Sequence, residues 1–291
     1  MSDFRSLVGR ADAPVLIDQE GGRVERLRPP HWQSLPAAGR IGALAERDPA
    51  AAEEAARTQA RLIAADLHSL GITVDCAPVL DLRHSGASEA IGDRAFGADP
   101  QIVARLGRAF CEGLLAGGVL PVIKHLPGHG RALCDSHHDL PTIEAAPQEL
   151  EQSDFLPFRA LSDMPLAMTA HIRLPVIDAE RPATTSARVL QAVIREYIGF
   201  EGLLFSDDLS MEALGGDLGQ RAAACLAAGC DVALHCNGDS TEMELVAAAA
   251  GPLSAAGRRR LEAALARLVW APEAIDREAL RARLDALLQA H

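Results

Sequence analysis

Short apolar runs that end on polar residues recur along this chain, each followed by a polar loop and then a longer amphipathic stretch. Pro14–Ile17 runs into Asp18, Ile72–Ala77 continues through Pro78 to Asp81, and Val119–Ile123 delivers Lys124 and His125. Leu166–Thr169 ends at His171, Leu203–Phe205 at Ser206, Asp207 and Asp208, and Val232–Leu234 at His235, Cys236 and Asn237. Runs of this length and make-up predict buried strands that carry functional groups at their C-terminal ends. The Ala-rich stretch Ala50–Leu70 predicts a helix with Asp48 as N-cap and Pro49 in its first turn, closed at Gly71. Further helices are expected over Pro100–Ala116, Pro147–Ser162 and Ser186–Tyr197, and another closing at Ala227-Ala228-Gly229. The first dozen residues read as the tail of a helix, and Leu27–Pro36 and Arg83–Phe96 as loops. After Gly238 the chain reads as helix to its end, with breaks near Gly251-Pro252 and Pro272.

Six such strand–loop–helix units describe a parallel α/β protein with its site at the strands' C-terminal edge. No GxGxxG or GxxxxGK[ST] follows a strand, which removes the common nucleotide folds. Every strand contributes a polar end, which favours a TIM-type (β/α) barrel over an open doubly wound sheet. No linker or low-complexity block divides the chain, so residues 1–291 are expected to form a single domain.

Charge narrows the partners. With 28 basic and 40 acidic residues the net charge is −12, which argues against nucleic acid and anionic membrane surfaces. The one basic block, Arg258–Arg260, reads as a solvated helix face. The six cysteines form no CxxC pair and read as reduced thiols. The chain start has no signal-peptide core and no apolar run spans a bilayer, so a cytoplasmic location is expected.

The richest stretch is KHLPGHGRALCDSHHD, Lys124 to Asp139. Pro127, Gly128 and Gly130 turn it into a loop, and Asp135 stands two residues before His137. A carboxylate beside an imidazole fixes its tautomer and raises its basicity, as acid–base work near neutral pH requires. Carboxylates and imidazoles with Lys and Arg donors around them suit a neutral, polyhydroxylated substrate. Glycoside cleavage needs one group to attack the anomeric carbon and another to protonate the leaving oxygen, and Asp207 and His137 fit those two jobs. A metal-dependent hydrolase is the rival reading, with His125, His129, Asp135, His137, His138 and Asp207 as possible ligands. Pro127 and Gly128 keep His125 and His129 off a shared helical face, which weakens it. A sugar-binding protein without turnover is the third reading.

The chain resembles the bacterial β-N-acetylhexosaminidases of glycoside hydrolase family 3, enzymes of cell-wall recycling. The motifs are IDQEGGRVERLR (Ile17–Arg28), APVLDL (Ala77–Leu82), IGDRAF (Ile91–Phe96), KHLPGHGRALCDSH (Lys124–His137), TAHI (Thr169–Ile172) and GFEGLLFSDDLSM (Gly199–Met211). The resemblance implies Asp207 as nucleophile, His137 as general acid/base assisted by Asp135, and sugar contacts from Asp18, Arg26, Arg94, Lys124 and His125. It implies release of non-reducing-end β-linked N-acetylglucosamine from anhydromuropeptide-like saccharides with retention, no cofactor and no metal, with phosphate open as an alternative acceptor. Asp208 is expected to act as a cap or support, and Glu20 and Arg23 to build the turn. Relatives begin with an additional strand of the form GLILF, whereas Met1–Arg10 matches only the helix after it. A barrel lacking its first strand is therefore expected, as a monomer, or as a dimer if the gap leaves an open edge.

Overall fold

The computed structural model describes residues 1–289. Six parallel strands lie side by side in chain order: β1 (Leu16–Ile17), β2 (Val74–Asp75), β3 (Leu120–Leu126), β4 (Leu166–Thr169), β5 (Leu203–Asp208) and β6 (Val232–Leu234). Register runs from Leu16 opposite Val74, through Val122 opposite Leu166, to Phe205 opposite Val232. All six positions agree with the apolar runs. Helix α1 (Ser2–Leu7) precedes β1, and between the strands come α2 (Ala38–Ala45), α3 (Pro49–Ser69), α4 (Pro100–Ala116), α5 (Pro147–Gln152), α6 (Leu156–Ala160) and α7 (Leu218–Ala228). The chain closes with α8 (Ser240–Ala250), α9 (Ala255–Leu265) and α10 (Arg277–Gln289). Helix had been expected to the chain end, whose residues 290–291 lie outside the described residues.

Strand alternation separates two cores. Ala77, Ile123, Ala167 and Leu204 point outward into the helical layer of α3 and α4. Val74, Val122, Met168 and Phe205 point the other way and pack with Leu16 and Leu234. Residues from β1 and from the end of β6 line one cavity, so the sheet is curled. Leu261, Ala264 and Leu265 of α9, with Leu268 just past it, pack into this inner cluster and floor the curl. Among the described residues β1 and β6 do not pair, leaving an open, TIM-like half-barrel. A closed barrel of this class has eight strands, and the six found here make part of such a curl.

Three local expectations change. The single helix over Pro147–Ser162 is two short ones, α5 and α6, broken at Ser153. The helix expected from Ser186 is coiled in the wider i→i+5 manner over Val189–Tyr197. The Arg258–Arg260 block is not wholly solvated: Arg260 pairs with Asp231 at 2.9 Å, and that carboxylate also takes Arg195 at 3.0 Å. The helix α2, with its buried Ile41 and Leu44, went unread behind the Pro-rich loop.

Candidate active site

All eight expected site residues line one cavity of about 670 Å³ at the C-terminal ends of the strands. That volume falls in the ordinary range for small-molecule sites. The loops reach it because glycine lets them pass close to other backbone. Gly21 has φ +94°, and a Cβ there would stand 2.6 Å from the Pro36 carbonyl oxygen; at Gly130 it would stand 2.0 Å from that of Leu82.

On the β1–β3 side the charges are buried and cross-bonded. Lys124, 2% exposed, places Nζ 3.0 Å from Asp18 Oδ1 and 2.6 Å from Glu20 Oε1. Arg94 donates to both oxygens of Glu20, Nε to Oε2 at 2.9 Å and a terminal nitrogen to Oε1 at 2.8 Å. Burial pushes the Glu20 carboxyl up, but Lys124 and Arg94 outweigh it and hold the group at about 2. Burial likewise opposes the charge on Lys124, yet Glu20 and Asp18 keep its pKa above the ordinary value. Arg26 reaches Asp18 Oδ2 at 3.2 Å, while Arg23 turns away to Asp93. Glu20 is thus more than a turn residue: it anchors two cations of the site.

Two buried carboxylates here escaped sequence reasoning. Asp81 accepts from His125 Nδ1 at 2.6 Å and from the His129 backbone N–H at 2.6 Å. Burial raises its pKa, but His125 and His129 bring it below the usual carboxylate range. Its position at the end of an apolar run, like that of Asp18, was the available signal. Asp75 accepts from the Gln19 backbone N–H at 3.0 Å, and burial pushes its pKa well above the usual range. His129 is driven down to about 4 by burial against the pull of Asp81, so its ring is neutral; Nε2 meets Ser136 Oγ at 3.2 Å.

On the β4–β5 side, Asp207 Oδ1 accepts the Asp208 backbone N–H at 2.8 Å. Burial raises its pKa, but His125, His171 and that N–H outweigh it, leaving the carboxylate ionised near neutrality. His171 is a buried strand-end imidazole, bonded to Thr184 Oγ1 at 2.7 Å and to the Asp208 carbonyl at 3.0 Å. His137 lies on the exposed loop and places Nδ1 2.8 Å from Asp135 Oδ1. Burial raises the Asp135 pKa, but the backbone and ring N–H of His137 bring it down on balance. Among the described residues no three His, Cys, Asp or Glu side chains converge as a metal-binding group. Nor is any described helix long and apolar enough to cross a membrane.

The model of the Glycosyl hydrolase family 3 N terminal domain matches residues 1–270. The chain belongs to this family. A β-hexosaminidase of Bordetella avium (strain 197N) is 41% identical over 227 residues, covering 77% of this chain and 64% of that protein. A second, from Alkalilimnicola ehrlichii, is 43% identical over 241 residues, covering 81% of this chain and 68% of that one. The chain thus spans somewhat less than two thirds of the length of the Bordetella avium relative. Among solved structures, NagZ from Neisseria gonorrhoeae in complex with N-trifluoroacetyl-D-glucosamine superimposes with a TM-score of 0.87 at 35% identity. That superposition covers 99% of this chain and 85% of that one.

Proposed function

We propose that this chain is a retaining β-N-acetylglucosaminidase that removes non-reducing-end N-acetylglucosamine from anhydromuropeptide-like saccharides in the cytoplasm. The observation that carries this reading is an ionised Asp207 sharing one cavity with an imidazole already paired to a carboxylate, His137 with Asp135. Asp207 attacks the anomeric carbon and forms a glycosyl ester. His137 first donates a proton to the leaving oxygen and then takes one from the incoming water. With Nδ1 on Asp135, Nε2 is the nitrogen free for that transfer, and Asp135 stabilises the imidazolium. Asp18, Arg26, Arg94, Lys124 and His125 bind the sugar hydroxyls from the opposite strands. The sugar analogue held by the Neisseria relative supports the same substrate class. In architecture the six strands are read as part of a (β/α)8 barrel, with the expected first strand among the unfilled positions beside β1.

Turnover of a chromogenic β-N-acetylglucosaminide, with and without phosphate and with and without a chelator, tests the reading. The first product should keep the β configuration. Asp207→Ala should lower turnover at least about 10⁴-fold while sugar binding persists. An inverted first product removes the ester mechanism, binding without release identifies a sugar-binding relative, and loss of activity to the chelator restores the metal reading.

A further inference from the structure

Gln19 follows the cavity residue Asp18, yet it does not line the cavity itself. It is buried, and Asp75 on β2 fixes its backbone N–H at 3.0 Å. Its side-chain amide turns back across the loop and makes three well-formed bonds to two residues. Oε1 accepts the Arg26 N–H at 2.9 Å and the Leu27 N–H at 3.0 Å, and Nε2 donates to the Leu27 carbonyl at 2.9 Å. Among the described residues no backbone group pairs with any of those three. They lie just ahead of Pro29 and Pro30 and outside every strand, so no sheet ladder supplies partners for them. A primary amide carries donor and acceptor on one planar group and stands in for the missing strand neighbour.

Arg26 lines the cavity and pairs with Asp18 across 3.2 Å, its side chain 54% exposed. An exposed pair of that kind contributes little to holding its own geometry. The backbone at Arg26 and Leu27 is fixed instead by the three bonds to Gln19. Asp18, one residue before Gln19, is held separately by Lys124 at 3.0 Å. Gln19 thus joins a fixed carboxylate to a loop cation, and both face the cavity.

We infer that Gln19 is a positioning residue for sugar binding: its buried amide clasps the Arg26–Leu27 backbone and so keeps the Arg26 guanidinium beside Asp18 at the cavity. The inference rests on the reading of Arg26 as a sugar contact. The test compares the parent chain with Gln19→Met, Arg26→Ala and the double variant. It reads Kd for N-acetylglucosamine, kcat on a chromogenic β-N-acetylglucosaminide, and hydrogen exchange at the Arg26 and Leu27 amides. Arg26→Ala should weaken binding about ten- to a hundredfold, as for a lost hydrogen bond to a charged group. Gln19→Met, of similar length but without the amide, should weaken binding more than about threefold and leave kcat within about threefold. Exchange of the two amides should speed up at least about tenfold as they lose their partner. The double variant should bind within about twofold of Arg26→Ala alone, because both changes remove one interaction. Losses that multiply in the double variant overturn the inference, and so does a smaller loss of binding in Gln19→Met. If Gln19→Met does not fold, Gln19→Glu takes its place with the same expected directions: it keeps an acceptor for both N–H groups and loses the donor to the Leu27 carbonyl. A fold lost in both variants assigns Gln19 to stability alone and overturns the inference. An Arg26→Ala chain that binds sugar like the parent defeats the reading of Arg26 instead. The exchange arm then decides the clasp, and amides that exchange alike in parent and variant overturn it.

Discussion

The two sides of the cavity are built by opposite means. Around β1–β3, each charge has partners from other strands: Lys124 bonds to Asp18 and Glu20, Arg94 to Glu20, and His125 to Asp81. Across from them, His137 is 66% exposed and its carboxylate partner stands only two residues away. The loop between is fastened by Ser136, whose Oγ meets His129 and whose carbonyl accepts the Ala213 N–H. One side is a preorganised set of dipoles and charges, needing no rearrangement as a reaction proceeds. The other holds a correct local pair whose placement over a substrate is set by one short loop. Perturbing the first should therefore show in stability, and perturbing the second in rate.

The sharpest contrast should come from Lys124→Ala. Removing this buried cation leaves Glu20 and Asp18 short of a partner, and should destabilise the fold by roughly 3–5 kcal/mol in urea unfolding. A variant that unfolds with the parent would mean that the network is not what holds this side.

Acid should act on the same side next. The Glu20 pKa is depressed from 4.5 to about 2 in the folded chain, so its stabilisation is fully present above pH 4.5 and lost as pH falls toward 2. The contribution is roughly 3 kcal/mol at neutral pH. Denaturant midpoints measured from pH 7 down to pH 3 should fall in the parent chain, and Glu20→Gln should flatten that limb.

On the loop, His137→Ala should leave the melting temperature unchanged while lowering kcat/KM about a hundredfold on a poor leaving group. An activated aryl glycoside, which needs little protonation, should lose much less. Asp135→Asn should follow in direction with a smaller loss. Equal losses on both substrates would assign His137 another role and dissolve the contrast between the two sides.

Strand order, and the gathering of Asp18, Lys124, His125 and Asp207 at one cavity, were legible because each apolar run stops at a polar residue and a parallel sheet brings those stops to one edge; Arg26 and Arg94 were singled out by the family resemblance. Asp135 with His137 was legible from spacing alone. Glu20 was misjudged as a turn builder because nothing local shows that Lys124 and Arg94, both more than seventy residues away, converge on it. Asp81 and Asp75 were passed over for a similar reason: their partners sit on neighbouring strands and loops, so burial and pairing appear only in three dimensions. The split between α5 and α6 was hidden by a continuous amphipathic pattern. Arg260 looked like surface because its carboxylate, Asp231, lies twenty-nine residues earlier in the chain.

The helix that floors the half-barrel also sets an order of events. The inner faces of β1 to β6 bury their apolar side chains partly against Leu261, Ala264, Leu265 and Leu268. Leu16 and Leu268 belong to one cluster although nearly the whole chain separates them. During synthesis the concave face therefore stays wet until the α9 segment has left the ribosome, however early the outer helices α3 and α4 have docked. Closing so long a loop is slow, and exposed strand faces are sticky while they wait. The step that completes the core beneath the site comes late, and it is there that a nascent chain of this design is most open to capture by a chaperone or by another copy of itself.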